Sequence, residues 1–259
     1  MPTILFNQIV YGPVHSRRLG LSLGINLSPP DGKRCTFNCI YCECGLNEDR
    51  KTRQPSPSRE DVRQALSGKL SQMNAEGIVP DRITFSGNGE PTLHPAFASI
   101  ITDTLEIRNR LCPSAKVAVL SNSTLLHKAD VVQALCRVDE NLMKLDAATD
   151  ELIRLIDQPV KHDFTASKLI EQLCRFDGRL IIQSIFLKGE YQGLPIDNTH
   201  DADVDRWLAA LQKIRPQKVL IYTIDRETPV NSLQKIPLPE LEKIAAKVRN
   251  LDIHTGIFN

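Results

Sequence analysis

Six short apolar runs, each followed by a segment with the spacing of an amphipathic helix, most constrain what this chain folds into. They are LGLSLGINL (19–27), RITFSG (82–87), KVAVLSN (116–122), NLMKLDA (141–147), RLIIQSIFL (179–187) and KVLIYTID (218–225). In the first, Leu19, Leu21, Leu23, Ile25 and Leu27 alternate with small or polar residues, the period-two pattern of a strand. Strands alternating with helices specify a parallel sheet joined by right-handed crossovers, and six such units close only part of a circle. The expected fold is therefore α/β, a partial (β/α)6 TIM-like barrel left open at about three quarters of a turn. Ser58 with Asp61 is a capping pattern that opens a helix to about Met73. A second helix is expected from near Pro95 to about Leu111, and a third from about Leu125 to Val138. No repeat or low-complexity tract divides the 259 residues, so a single domain over 1–259 is expected. Within it, 1–18 form an N-terminal extension and 238–259 a covering helix and short strand.

The first strand leads through Pro29-Pro30-Asp31-Gly32, a turn-rich loop, into KRCTFNCIYCECG, where Cys35, Cys39 and Cys42 are spaced C-x3-C-x2-C. A loop in that place lies at the carboxyl end of the strands, where α/β barrels put their chemistry. Three neighbouring thiolates suit a soft metal centre. Four protein ligands would close an iron–sulfur cluster or a structural zinc site, whereas three leave one position for something that is not protein. Zinc completed by Cys44 or a histidine is the alternative, although the chain has no second C-x2-C pair and Cys44 follows Cys42 too closely for an ordinary zinc knuckle. Cys112, Cys136 and Cys174 fall on expected helices or helix ends beside leucines and are expected to be buried. An odd total of seven cysteines argues against a disulfide framework and for a reducing compartment. With 32 basic against 31 acidic residues, overall charge announces neither a nucleic-acid nor a membrane partner. The chain has no run of 18 apolar residues and no N-terminal apolar segment with a cleavage site, so it is expected to be soluble and cytoplasmic.

The triad, with Tyr41 just before its last cysteine, resembles the signature of the radical S-adenosylmethionine (SAM) superfamily. ITFSGNGEPTLHP (83–95) is similar to the Gly-Gly-Glu-Pro element of that superfamily, with Asn88 between Gly87 and Gly89. The likeness runs from about Ser16 to Pro229. It implies a radical SAM enzyme of the iron–sulfur oxidoreductase type, in which Cys35, Cys39 and Cys42 bind three irons of a [4Fe–4S] cluster. The fourth iron would then chelate SAM, one electron would break it to methionine and a 5′-deoxyadenosyl radical, and the radical would abstract hydrogen from an unidentified substrate. By the same resemblance Gly87, Asn88, Gly89 and Glu90 bind the methionyl ammonium, and Ser121 and Asn122 the ribose. Tyr41 belongs to the same cofactor-binding group, and a flavodoxin or ferredoxin supplies the low-potential electron; Gln183, polar in the otherwise apolar fifth strand, is a further candidate to touch SAM or substrate, as are Thr223, Asp225 and Arg226 at the end of the sixth. Lys144 and Asp146 stand two apart on one strand and so face the same way; charges inside a barrel are costly unless paired or used, so both are expected to touch SAM or substrate.

Plainer roles stay open: a glycine turn at Gly87–Gly89, a helix cap at Ser121–Asn122, and an ion pair between Asp225 and Arg226 near Thr223. Arg50, Lys51, Arg53 and Arg59 are read as solvated surface rather than a phosphate site. His15 and His94 are assigned no role. Two other functions stay open as well: a zinc or iron–sulfur binding module without catalysis, and a radical SAM enzyme that modifies RNA. The second arises because SRRLGLSLGINL, KLDA and IYTIDR are also similar to small iron–sulfur oxidoreductases related to the wyosine-forming tRNA enzymes. Those enzymes carry additional N-terminal cysteines, and the 34 residues before Cys35 contain none.

Overall fold

Alternate residues of each apolar run serve two different cores, which is why the runs become strands. In the computed structural model, which describes residues 4–259, the chain begins with β1 (Val10–Ser16) and β2 (Gly20–Ile25), then α1 (Arg59–Ala75). It continues through β3 (Arg82–Phe85), α2 (Phe97–Leu111), β4 (Lys116–Ser121), α3 (Ala129–Leu135) and β5 (Glu140–Lys144). Next come α4 (Asp150–Ile156), α5 (Ala166–Cys174), β6 (Ile181–Ile185), β7 (Leu187–Tyr191), β8 (Leu194–Asp197) and α6 (Asp201–Ile214). It ends with β9 (Lys218–Tyr222), β10 (Gln234–Lys235), α7 (Leu238–Arg249) and β11 (His254–Phe258).

The main sheet has eight strands in the order β1-β2-β3-β4-β5-β6-β9-β11. Every neighbouring pair is parallel except β1 with β2. The sheet curls into an open, partial TIM-like barrel, as the alternation of strands and helices requires. Leu23, Ile83, Val117, Val119, Met143, Ile182, Val219 and Ile221 face outward into one large core with the helices. On the inner face Ala118, Leu142 and Leu220 meet Leu19, which arrives from the β1–β2 turn and plugs the lumen at mid-height.

Five features depart from expectation. β1 pairs antiparallel with β2 across the edge of the sheet, and a hairpin, β7–β8, interrupts the path from β6 to its helix. α2 starts at Phe97, because Pro95 belongs to the turn in which Phe97 N donates to His94 O at 3.0 Å. α3 is shorter than the span from 125 to 138, since Ser123 takes a positive φ of 68° and a turn closed by Lys128 N to Leu125 O precedes the helix. Of the three scattered cysteines Cys112 is buried and Cys174 half-buried, but Cys136 is exposed, because the chain turns out of α3 at that residue. The capping box of Ser58 with Asp61 is present at α1. Among the described residues no helix is long and apolar enough to cross a membrane.

Below Leu19 the lumen is closed by charge. Arg82 donates to both oxygens of Glu140, at 2.6 and 3.0 Å, and to Leu19 O at 2.9 Å, while Lys116 reaches Glu140 at 3.3 Å. Burial alone would push the Glu140 carboxyl up, but Arg82 and Lys116 together hold it below the ordinary glutamate value. A carboxyl whose folded value lies below its unfolded one adds stability above the unfolded value and loses it as pH falls through the folded one. Glu140→Gln is therefore expected to lower stability by roughly 1–2 kcal/mol at neutral pH. The gap between variant and parent, measured by denaturant unfolding, should close below about pH 4.

Candidate active site

The cysteine loop is held by backbone, not by side chains alone. Arg34 N donates to Asn88 O at 2.9 Å and Glu90 N to Arg34 O at 3.0 Å, a parallel bridge between the loop and the GNGE segment. Gly89 makes this contact possible: its φ is +133°, and a Cβ there would lie 2.0 Å from Arg34 O. On the other side Asn38 N donates to Asp157 O at 3.0 Å and Ile40 N to Ile156 O at 3.0 Å, so the end of α4 braces the same loop. Within it Cys42 N donates to Cys39 O, and Gly45 N to Cys42 O at 2.8 Å.

Cys35, Cys39 and Cys42 are half-buried on this loop, and their thiols lie near enough to perturb one another's charge. Burial pushes the Cys35 thiol up to about 11, with the Lys33 ammonium acting against it. Burial likewise holds Cys39 well above the ordinary thiol value, and its S–H donates to Asp157 Oδ1 at 3.6 Å. Cys42 is drawn down to about 6, first by its hydrogen bond with Cys44 and then by Lys33, against burial. Lys33 is itself buried, with Nζ donating to Gly45 O at 2.8 Å, so a fixed cation stands beside the three sulfurs. Cys44 is buried, with its sulfur 3.4 Å from Gly87 O and hydrogen-bonded to Cys42. Among the described residues no group of three His, Cys, Asp or Glu side chains is set to hold a metal ion. Three thiols on one loop beside a buried ammonium form a soft, charge-compensated set of donors.

The GNGE segment and the end of β4 meet this loop, but several of their groups are already engaged. Glu90 is buried and accepts from Thr92 N, Thr92 Oγ1, Ser121 Oγ at 3.0 Å and Asn122 N at 2.6 Å. Its carboxylate thus ties the end of β3 to that of β4. Asn88 is fully enclosed: its side chain bonds both Phe6 N and Phe6 O at 2.8 Å and donates to Pro29 O at 3.0 Å. Gly87 and Gly89, both at positive φ, are the members whose backbone alone borders the loop. Asn122 points to the cysteines, with Nδ2 3.5 Å from Cys35 Sγ and 2.8 Å from Thr36 Oγ1.

Beneath the loop, Lys144 and Asp146 face the same way, as their spacing requires. They form one network: Lys144 Nζ bonds Tyr41 Oη and Asp146 Oδ2, Tyr41 Oη donates to the same oxygen, and Asp157 Oδ1 lies 3.0 Å from Lys144 Nζ. Burial would lower the Lys144 ammonium, but the Asp146 and Asp157 carboxylates hold it well above the usual lysine value. Asp157, which no motif marked, is pushed up to about 8 by burial, with Lys144 opposing. Gln183 accepts from Arg18 Nη1 at 3.0 Å, and Arg18 lies 4.4 Å from the centroid of the Tyr222 ring.

The remaining candidates divide. Thr223 is buried and bonded to Phe186 O and Ile236 N, a packing role. Asp225 and Arg226 do not pair with each other: Asp225 meets Arg17 at 3.0 Å, and Arg226 meets Glu43 at 2.8 Å. Arg59 grips Asp103 with two bonds of 2.6 Å. His94 bonds Pro57 O and Ala96 N, and His15 is exposed at the edge of the lumen. Sequence reasoning missed Lys33, Arg18, Asp157 and Tyr222. The one available signal was position: Lys33 stands two residues before the triad, and Asp157 ends an apolar helical stretch at a proline turn.

No protein-family model matches the chain. It is 32% identical over 222 residues to a UPF0026 protein of Helicobacter pylori, covering 84% of this chain and 67% of that one. To the UPF0026 protein slr1464 of Synechocystis it is 31% identical over 232 residues, covering 85% and 77%. It is also 32% identical over 238 residues to the GTPase Obg of Brachyspira hyodysenteriae, covering 90% of this chain but spanning only 32% of that protein. The fold is shared with a radical SAM methyltransferase from Sphaerobacter thermophilus, at a TM-score of 0.68 and 14% identity over 92% of this chain and 65% of that one. Streptococcus suis SuiB bound to S-adenosylmethionine gives 0.64 and 13% over 91% and 50%. TYW1 with a lysine-pyruvate adduct gives 0.63 and 16% over 88% and 73%.

Proposed function

The chain belongs to the UPF0026 family, and from the three-cysteine loop we propose that it is a radical SAM enzyme acting on its substrate by hydrogen abstraction. Cys35, Cys39 and Cys42 would hold a [4Fe–4S] cluster, with the site facing the mouth of the lumen. When bound, the cluster and SAM supply a carbon-centred radical from one electron, delivered by a low-potential donor such as a flavodoxin or ferredoxin. The fold shared with the methyltransferase and with SAM-bound SuiB supports this assignment. So does the placing of the triad beside Gly87, Gly89 and Asn122. The likeness of SRRLGLSLGINL and IYTIDR to small iron–sulfur oxidoreductases belongs to the same proposal.

The chain's own residues do the positioning. Asp157 Oδ1 accepts a hydrogen bond from the Cys39 thiol while that thiol is free, and Lys33 offsets the negative charge of the sulfurs as thiolates. Tyr41, bonded to Lys144 and Asp146, fastens the loop over β5. Glu90 holds the ends of β3 and β4 at one spacing, so backbone groups rather than mobile side chains line the site. The single carrying observation is the clamp of the cysteine loop between Gly89 and α4.

Anaerobic reconstitution with iron and sulfide, followed by dithionite and SAM, tests the proposal. Methionine and 5′-deoxyadenosine are expected in equal amounts. A protein that takes up iron yet releases neither product would instead be a binding module.

A further inference from the structure

The basic pair of the β1–β2 turn lies outside the cysteine loop, yet both guanidinium groups border a cavity of about 480 Å³ in the lumen. That volume lies within the ordinary range for small-molecule sites. Three arginines line it, and two are neutralised where they stand: Arg17 by Asp225 at 3.0 Å, Arg226 by Glu43 at 2.8 Å. Arg18 differs. Among the described residues it has no carboxylate partner, and its Nη1 donates only to the neutral amide oxygen of Gln183. Its plane rests over Tyr222 and its neighbour Leu19 plugs the lumen below, so the group is half-buried and directed inward.

A guanidinium offers five N–H donors in a fixed fork that matches carboxylate and phosphate oxygens. One donor goes to Gln183, and Arg18 borders a cavity whose other polar groups are largely paired with one another. Ser22 bonds Thr84 at 2.7 Å, and Tyr11 bonds Ser86 at 2.6 Å. These hydroxyls make the wall polar without adding charge. A cation without a carboxylate partner in a polar, partly enclosed cavity gives an entering anion a charge-assisted contact that the paired arginines do not.

We propose that the lumen cavity binds the substrate through an oxyanion, a carboxylate or phosphate, and that Arg18 is the residue that recognises it. The word substrate rests on the radical SAM assignment; the anion site rests on the cavity and the guanidinium alone. SAM also carries a carboxylate, so the same chemistry has two sources. Gly87 and Cys44 border the same cavity, so the SAM affinity measured in parallel is what separates the two sources.

The test is a calorimetric titration of the reconstituted full chain with inorganic phosphate, with SAM affinity measured in parallel. Phosphate should bind the parent protein, bind Arg18→Gln about tenfold more weakly or worse, and bind Arg18→Lys between the two, since an ammonium keeps the charge but not the fork. SAM affinity should change by less than about twofold in either variant. On the unaltered chain, which removes any question of a variant's folding, phosphate should protect Arg18 from phenylglyoxal while exposed Arg53 reacts, as read by mass spectrometry. The proposal is overturned if the parent ignores phosphate, if Arg18 is not protected, or if Arg18→Gln binds phosphate as well as the parent does. A parallel loss of SAM affinity would also overturn it, by giving the oxyanion to the cofactor. Phosphate binding without SAM cleavage would leave the anion site standing and remove the radical SAM assignment; cleavage without phosphate binding would do the reverse.

Discussion

Cys39→Ala is expected to yield a folded protein that takes up almost no iron on reconstitution and lacks the visible absorbance of an iron–sulfur centre. Cys35→Ala and Cys42→Ala should behave alike, because a cube held by three thiolates loses a corner whichever one is removed. Folding should survive, since the loop's position comes from backbone bonds to Asn88, Glu90, Asp157 and Ile156 that alanine leaves untouched. Cys44→Ala is the informative contrast. Its sulfur faces Gly87 O, so iron content should stay near the parent's, even though Cys42 loses the hydrogen bond that draws its thiol down. Iron and sulfide assays on the four variants decide the matter, and full iron in Cys39→Ala would remove the ligand assignment.

Lys144→Met is expected to cost about 3–5 kcal/mol of stability, the largest loss for any substitution outside the core. The reason is what it leaves behind. Asp146 and Asp157 have side chains 0% and 3% exposed, and Lys144 is the cation in contact with both. Without it, two carboxyls confront each other in a medium that solvates neither, and at least one must bind a proton to stay folded. Thermal unfolding should fall by roughly 10 °C for a chain of this size. Lys144→Met combined with Asp146→Asn should recover part of the loss, a coupling that distinguishes stranded charge from lost packing. An unfolding midpoint within a degree or two of the parent's would mean that the network contributes nothing to the fold.

Both predictions concern one small region, and its parts differ in how far the sequence revealed them. That the three cysteines share one loop was legible because the C-x3-C-x2-C spacing is local to a few residues. The strands were legible for a similar reason: alternation between Val117 or Val119 on one face and Ala118 or Leu120 on the other is written along the chain. Lys144 and Asp146 were legible as a pair sharing a face, but not the role they take. Their partners are Tyr41 and Asp157, more than a hundred residues upstream of Lys144 in one case and on the next helix in the other. Glu90 and Asn88 show the same limit. The motif marks them as site residues, while the fold engages the first with Ser121 and Asn122 and the second with Phe6.

By itself, then, the chain's order of residues determined the alternation of strand and helix, the parallel sheet, and a trio of thiols at its carboxyl edge. Those follow from period, propensity and spacing, which act between near neighbours. Only tertiary structure decided that β1 folds back on the sheet edge, that Asp157 and Lys33 flank the sulfurs, and that Arg17 and Arg226 find carboxylates while Arg18 finds none. Burial and pairing of charge depend on which distant segments the packed core brings together, and no local pattern encodes that.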